Sequence, residues 1–107
     1  MSPLLELYTM LEKNTSVRNQ ILKNILVGRM GVASTHEGKM RIWAHIKGIL
    51  KQRYQRLGDH LWASASENDR KAASKIATRM ITKDMDKLKR VFFREAPINI
   101  LNDNHQY

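Results

Sequence analysis

The sequence has no cysteine, and only two prolines and five glycines in 107 residues. Without cysteine there can be no disulfide, no zinc ribbon and no thiol catalysis. Histidine is also scarce: His36, His45, His60 and His105 form no HxxxH or HExxH pair, so neither a metal nor a cofactor is expected. No run approaches the roughly 20 apolar residues of a membrane span. The opening "MSPLLELYTMLEK" has neither the basic start nor the small-residue cleavage site of a signal peptide. The expectation is a soluble, intracellular, cytoplasmic protein with no membrane partner.

Acidic residues are in short supply as well. Ten Asp and Glu face 19 Lys and Arg, for a net charge of +9. Such an excess favours a polyanion, nucleic acid first and an anionic surface less often, over a merely solubilising charge. The excess is local. Residues 1–38 carry four cations against three anions, 39–62 six against one, and 63–97 nine against five.

A chain of this length forms one domain, and a monomer this small buries only about two-thirds of its unfolded surface, so a homodimer is expected. Apolar residues at Leu4, Tyr8, Leu11, Val17, Ile21, Leu22, Ile25 and Leu26 follow a helical period. "KNTS" at 13–16 interrupts them, with Thr15 or Ser16 as a cap, giving one bent helix or two short ones ending at Gly28. "GRMGVASTHEG" at 28–38 reads as a loop and lacks the glycine spacing and terminal Lys-Ser/Thr of a P-loop. From Lys39 the stripe Ile42/Trp43, Ile46, Ile49/Leu50, Tyr54, Leu57 and Leu61 predicts one amphipathic helix. Gly48 and Gly58 would lie inside it, as points where another helix crosses closely or, second to that, where nucleic acid approaches.

Ser66 and Asp69 form a capping-box-like start for a last helix over about 67–95, ended by Pro97. Its core stripe is Ala73, Ala77, Met80, Ile81, Leu88, Val91 and Phe92. Residues 98–107 read as a flexible tail after a helical domain of 1–97. The fold expected is all-α: three or four helices, two of them long, amphipathic and basic, in a helical-bundle dimer.

At 100 degrees per residue, Lys71, Lys75, Arg79, Lys83, Lys87, Arg90 and Arg94 fall within an arc of about 160 degrees, mostly opposite the apolar stripe. The row would be about 35 Å long, comparable to one turn of a B-form duplex. A solvated face is the competing reading, but balanced helices answer lysines with glutamates four residues away, and no Glu occurs between positions 68 and 94. Lys47 and Lys51 offer a second outward strip on the preceding helix. Paired basic helices suit a rigid duplex read through phosphates, sugars and shape, as A-form RNA is. Trp43, Tyr54 and Phe92 are assigned to the core, which leaves few rings for a single-strand stacking platform.

Two family resemblances bear on this. Arg53 and His60 have an R-x6-H spacing that resembles the motif of the all-helical HEPN ribonucleases, where Arg and His cleave RNA at a dimer interface; the polar residue usually following the arginine is here Tyr54. "KIATRMIT" at 75–82, in a short cysteine-free helical chain, is similar to a stretch of the double-stranded-RNA-binding silencing suppressors of nodaviruses. That resemblance implies a small dimer that sequesters duplex RNA, with Arg79 on the RNA-facing side. The expectation is therefore a non-enzymatic, sequence-independent duplex binder, RNA before DNA, acting as a suppressor of RNA silencing. Its contacts would be Lys47, Lys51, Arg53, Arg56, Lys71, Lys75, Arg79, Lys83 and Arg90, with no catalytic residue. The alternative class is an interaction module whose basic face meets an acidic protein.

Overall fold

The computed structural model describes residues 1–102. Five α-helices and a closing 3-10 turn make up the chain, with no strand among the described residues: α1 Pro3–Lys13, α2 Thr15–Leu26, α3 His36–Gln55, α4 Asp59–Trp62, α5 Glu67–Phe92 and the turn Ile98–Leu101. Their packing forms a slab of 47 × 35 × 18 Å. The long α5 is the central element, flanked by α1 and α3, while α2 bridges from α1 to α3. Trp43 meets Phe92 and Tyr54 meets Asp84, so α3 and α5 run antiparallel.

Local chemistry sets most of the boundaries. Ser2 caps α1 by accepting the Leu5 N–H, and Pro3 follows it where a helix needs no donor. Neither Thr15 nor Ser16 caps α2. Asn14 ends α1 and accepts the Val17 N–H, which separates the two helices by a single residue. Thr35 caps α3 and Ser66 caps α5. Asp69 at the start of α5 also accepts the Ser2 N–H at 2.9 Å, joining the two N-termini and holding its carboxyl below the usual carboxylate range.

Two long helices are shorter than the periodicity implies. The stripe running to Leu61 is broken after Gln55, because Gly58 takes a left-handed conformation (φ 62°) and starts α4 as a separate turn. A Cβ there would lie 2.6 Å from Leu7 of α1, so Gly58 serves both the turn and the close approach. Gly48 has no such neighbour: it lies on an exposed face with nothing within 4 Å of an added Cβ. At the end of α5, Pro97 is not the terminator. Glu95 N–H bonds the Arg90 carbonyl and Arg94 N–H the Val91 carbonyl, a Schellman closure with Arg94 at φ 60°. Of the expected tail, residues 98–101 form the 3-10 turn and Leu101 is buried; 103–107 lie outside the described residues.

The expected apolar stripes are in the core: Trp43, Ile46, Leu50 and Tyr54 from α3, and Ala73, Ala77, Met80, Leu88, Val91 and Phe92 from α5. Between them sits a charged centre that hydropathy does not announce. Arg18 and Asp84 are both about 1 % exposed at the side chain, with Arg18 Nε donating to Asp84 Oδ2 at 2.8 Å. The Tyr54 hydroxyl donates to the same oxygen at 2.5 Å. Arg18 Nη1 also bonds the Leu11 and Glu12 carbonyls, closing the C-terminus of α1. The Tyr8 hydroxyl bonds the Tyr54 carbonyl at 2.6 Å and, at 3.2 Å, that of Leu57, while Trp62 Nε1 reaches Leu57 O, so the end of α3 is closed by side chains of α1 and α4. Burial pushes the Tyr8 hydroxyl up to about 12 and raises the Tyr54 hydroxyl as well, the latter reinforced by Asp84.

Removing one partner of the buried pair, as in Asp84→Ala, is expected to cost about 3–5 kcal/mol in urea unfolding, a large part of the roughly 5–15 kcal/mol of a small domain. Arg18→Met with Asp84→Leu should lose far less, because no charge is left buried alone. The tyrosines add a pH dependence. Their hydroxyls are kept neutral in the fold, so this stabilisation is whole below the unfolded value near 10 and is lost as pH rises toward about 12. The urea midpoint should fall over that interval, and Tyr8→Phe with Tyr54→Phe should flatten the fall.

Candidate nucleic-acid interface

Helix α5 exposes a basic side, but its cations fall into two groups. Lys75, Lys83, Lys89 and Arg90 are exposed and have no ion-pair partner among the described residues. Lys71, also exposed, is 3.5 Å from Glu67 one turn earlier. Arg79 is differently placed: Nε and Nη2 grip the two oxygens of Glu12 at 2.8 and 3.0 Å. That hydrogen-bonded guanidinium holds the Glu12 carboxyl below its ordinary range, and Glu12 in turn raises Arg79. The residue singled out by the "KIATRMIT" resemblance is thus tied to α1.

Lys87 leaves the exposed row. It is half-buried, donates to Asn19 Oδ1 at 2.9 Å, and its ammonium is pushed down by that burial against the opposing pull of Asp84. Arg94 lies past the helix end, in the left-handed turn. The helical part of the row therefore runs from Lys71 to Arg90, about 28 Å, somewhat under one duplex turn. Lys89 belongs to it although the four-residue spacing misses it. It lies eighteen residues beyond Lys71, which is five full turns of 3.6 residues and hence the same direction. Asp86 is the exposed acid among these cations.

Helix α3 adds Lys47 and Lys51. Lys51 is exposed; Lys47 is half-buried, its ammonium 5.9 Å from the Trp43 ring centroid. Near the start of α3, Lys39 lies 5.5 and 5.4 Å from the Phe92 and Phe93 centroids. Helix α2 packs on another flank of α3, where Ile21 and Asn24 meet Gln52 and Arg53, while Gln55, one turn beyond Lys51, lines a cleft with Ser74 and Thr78 of α5, so Lys51 borders α5. Trp43 and Phe92 are stacked in the interior, and among the described residues no exposed ring supplements the lysines on this face.

Arg53 and Arg56 do not join this face. With Ile21, Asn24, Gln52 and Leu57 they line a groove of about 500 Å³ between α2 and the end of α3, and Arg56 is 3.5 Å from Asp59. His60 is on α4, beyond the left-handed Gly58. The seven-residue spacing therefore does not stack Arg53 and His60 on one continuous helix, the arrangement expected of the pair. Among the described residues no group of three or more His, Asp or Glu side chains could hold a metal ion, and no helix is long and apolar enough to cross a membrane.

The chain matches no protein-family model, no curated protein and no solved structure. The arrangement can nonetheless be sorted by experiment into structural and available cations. Lys87→Ala should lower urea stability by about 1 kcal/mol through loss of its bond to Asn19. Lys75→Ala, with nothing attached, should stay within about 0.5 kcal/mol of the parent.

Proposed function

We propose that this chain is a sequence-independent binder of double-stranded nucleic acid, RNA in preference to DNA, acting by sequestration. The observation that carries the reading is the exposed row Lys71, Lys75, Lys83, Lys89 and Arg90 along one helix, with Lys47 and Lys51 on the neighbouring α3 and, among the described residues, only Glu67 paired with any of these side chains. Ammonium groups on long flexible stems suit phosphates whose positions vary from one sequence to another. A face without exposed rings does not suit unpaired bases, which are held by stacking. Arg79 contributes once a phosphate displaces Glu12.

A row of about 28 Å meets the phosphates of a rigid duplex without reading base edges. A homodimer would place two such rows on one duplex and double the charge available. Covering the phosphates denies the duplex to nucleases, which is the action expected of a silencing suppressor. No chemical step is required of the protein, and no residue is given a catalytic role. The second reading, an interaction module for an acidic protein, would use the same cations and is separated from the first by direct binding measurements.

Anisotropy titrations with double-stranded RNA, single-stranded RNA and double-stranded DNA at two salt concentrations test the proposal. The expected order places duplex RNA tightest, with affinity falling steeply as salt rises, at roughly 0.9 in log-log slope per neutralised phosphate on B-form DNA. Lys75→Ala with Lys83→Ala and Arg90→Ala should weaken binding of all duplex sequences alike and lower the slope by about 2–3. No shift of duplex RNA, or a salt-insensitive one, would overturn the reading.

A further inference from the structure

The groove between α2 and α3 is chemically unlike the α5 face. Its floor is apolar, from half-buried Ile21 and Leu57; its rim carries two amides, Asn24 and Gln52, and two guanidinium groups, Arg53 and Arg56. Arg53 has no acidic partner among the described residues, and Arg56 has only the exposed Asp59 at 3.5 Å. Lysines without an apolar floor characterise the other face. An apolar centre ringed by arginine and amides is the composition of a protein–protein contact.

A duplex laid on this groove would bring phosphates to Arg53 and Arg56 but would leave Ile21 and Leu57 against charged backbone. An amphipathic helix satisfies both parts. Its apolar residues at i, i+3 or i+4 and i+7 enter a channel between two helices, and carboxylates beside them meet the guanidinium groups in paired hydrogen bonds. Position on α3 keeps the two surfaces apart, since Arg53 points about 160 degrees away from Lys51 around the helix.

We propose that the α2/α3 groove docks an acidic amphipathic helix of a partner protein, held by Arg53 and Arg56 over Ile21 and Leu57. The site does not depend on what the α5 face binds.

The test titrates the isotope-labelled full chain with a synthetic helical peptide of about 15 residues, leucine at i, i+3 and i+7 and glutamate between. A peptide of the same composition with the leucines out of register is the control. Amide shifts should move at Ile21, Asn24, Gln52 and Leu57 with the first peptide and not with the second. Arg53→Gln with Arg56→Gln should weaken peptide binding about tenfold. The same variant should leave duplex RNA affinity within about threefold, because the α5 row is intact. Both groups are exposed, so the variant keeps the fold, checked by its urea midpoint. Equal binding of the control peptide, shifts centred on α5, or unchanged affinity in the double variant would overturn the proposal. A variant that loses duplex RNA as strongly as peptide would assign the groove to nucleic acid and overturn it too. If duplex RNA fails to bind the parent chain, the duplex reading falls while the peptide result still decides this one.

Discussion

Three elements of this fold meet at one carboxylate. Asp84 of α5 takes its hydrogen bonds from Arg18 of α2 and Tyr54 of α3, and the same arginine closes the end of α1. A buried carboxylate of this kind is stabilised only by partners that stay in place, so the contact specifies the relative position of four helices more sharply than apolar packing does. Both donors reach Oδ2, and Oδ1 has no partner among the described residues. The ion pair is therefore a constraint on arrangement before it is a source of stability, in keeping with the desolvation such pairs carry.

The same need to satisfy carbonyls separates arginine from lysine. Arg18 closes α1, Arg29 bonds the Ile25 carbonyl near the end of α2, and Arg70 bonds the carbonyls of Trp62 and Ala65 between α4 and α5. A planar guanidinium with five donors serves converging oxygens that a single ammonium reaches less well. Several arginines are in this way consumed by the scaffold, and the exposed row on α5 is mostly lysine. Net charge alone therefore overstates what is available to a partner.

The all-α class, the long apolar stripes, the loop after Gly28 and the cap at Ser66 follow from periodicity and cap chemistry, which act over a few residues; the loop is shorter than expected, because Thr35 caps α3 and the helix starts at His36 rather than Lys39. What periodicity could not supply is set by contacts between elements. Gly58 reads as an interior helix glycine until Leu7 and the turn geometry are seen together. Asp84 shares the angular position of Ala73, Leu88 and Val91, and Arg18 precedes Leu22 and Ile25 at helical spacing; a charge in an apolar stripe was the available signal for the buried pair. Among the candidate contacts, Lys51, Lys75, Lys83 and Arg90 are exposed as the wheel implies, because solvent exposure follows from angle alone. Arg79, Arg53 and Arg56 are exposed too, but Glu12 engages Arg79 and the α2 helix sets Arg53 and Arg56 in a separate groove, and these partners lie far away in the chain; Lys47 is half-buried beside Trp43.

The row on α5 carries a cost that bears on its use. Lys71, Lys75, Arg79, Lys83 and Lys87 succeed one another at four-residue intervals, a spacing at which each like-charged pair destabilises a helix by about 0.2–0.5 kcal/mol. The fold answers part of this with groups from elsewhere: Glu12 neutralises Arg79, Glu67 accompanies Lys71, and Asn19 takes the Lys87 ammonium without adding charge. Lys75 and Lys83, on either side of the neutralised Arg79, are left eight residues apart, which is about 12 Å along the axis. That distance exceeds the Debye length of about 8 Å at physiological salt, so the residual repulsion is modest and the helix tolerates both charges. The scaffold thus separates Lys75 from Lys83 along the axis, while Lys89 and Arg90, adjacent in the chain, are parted by about 100 degrees around the helix.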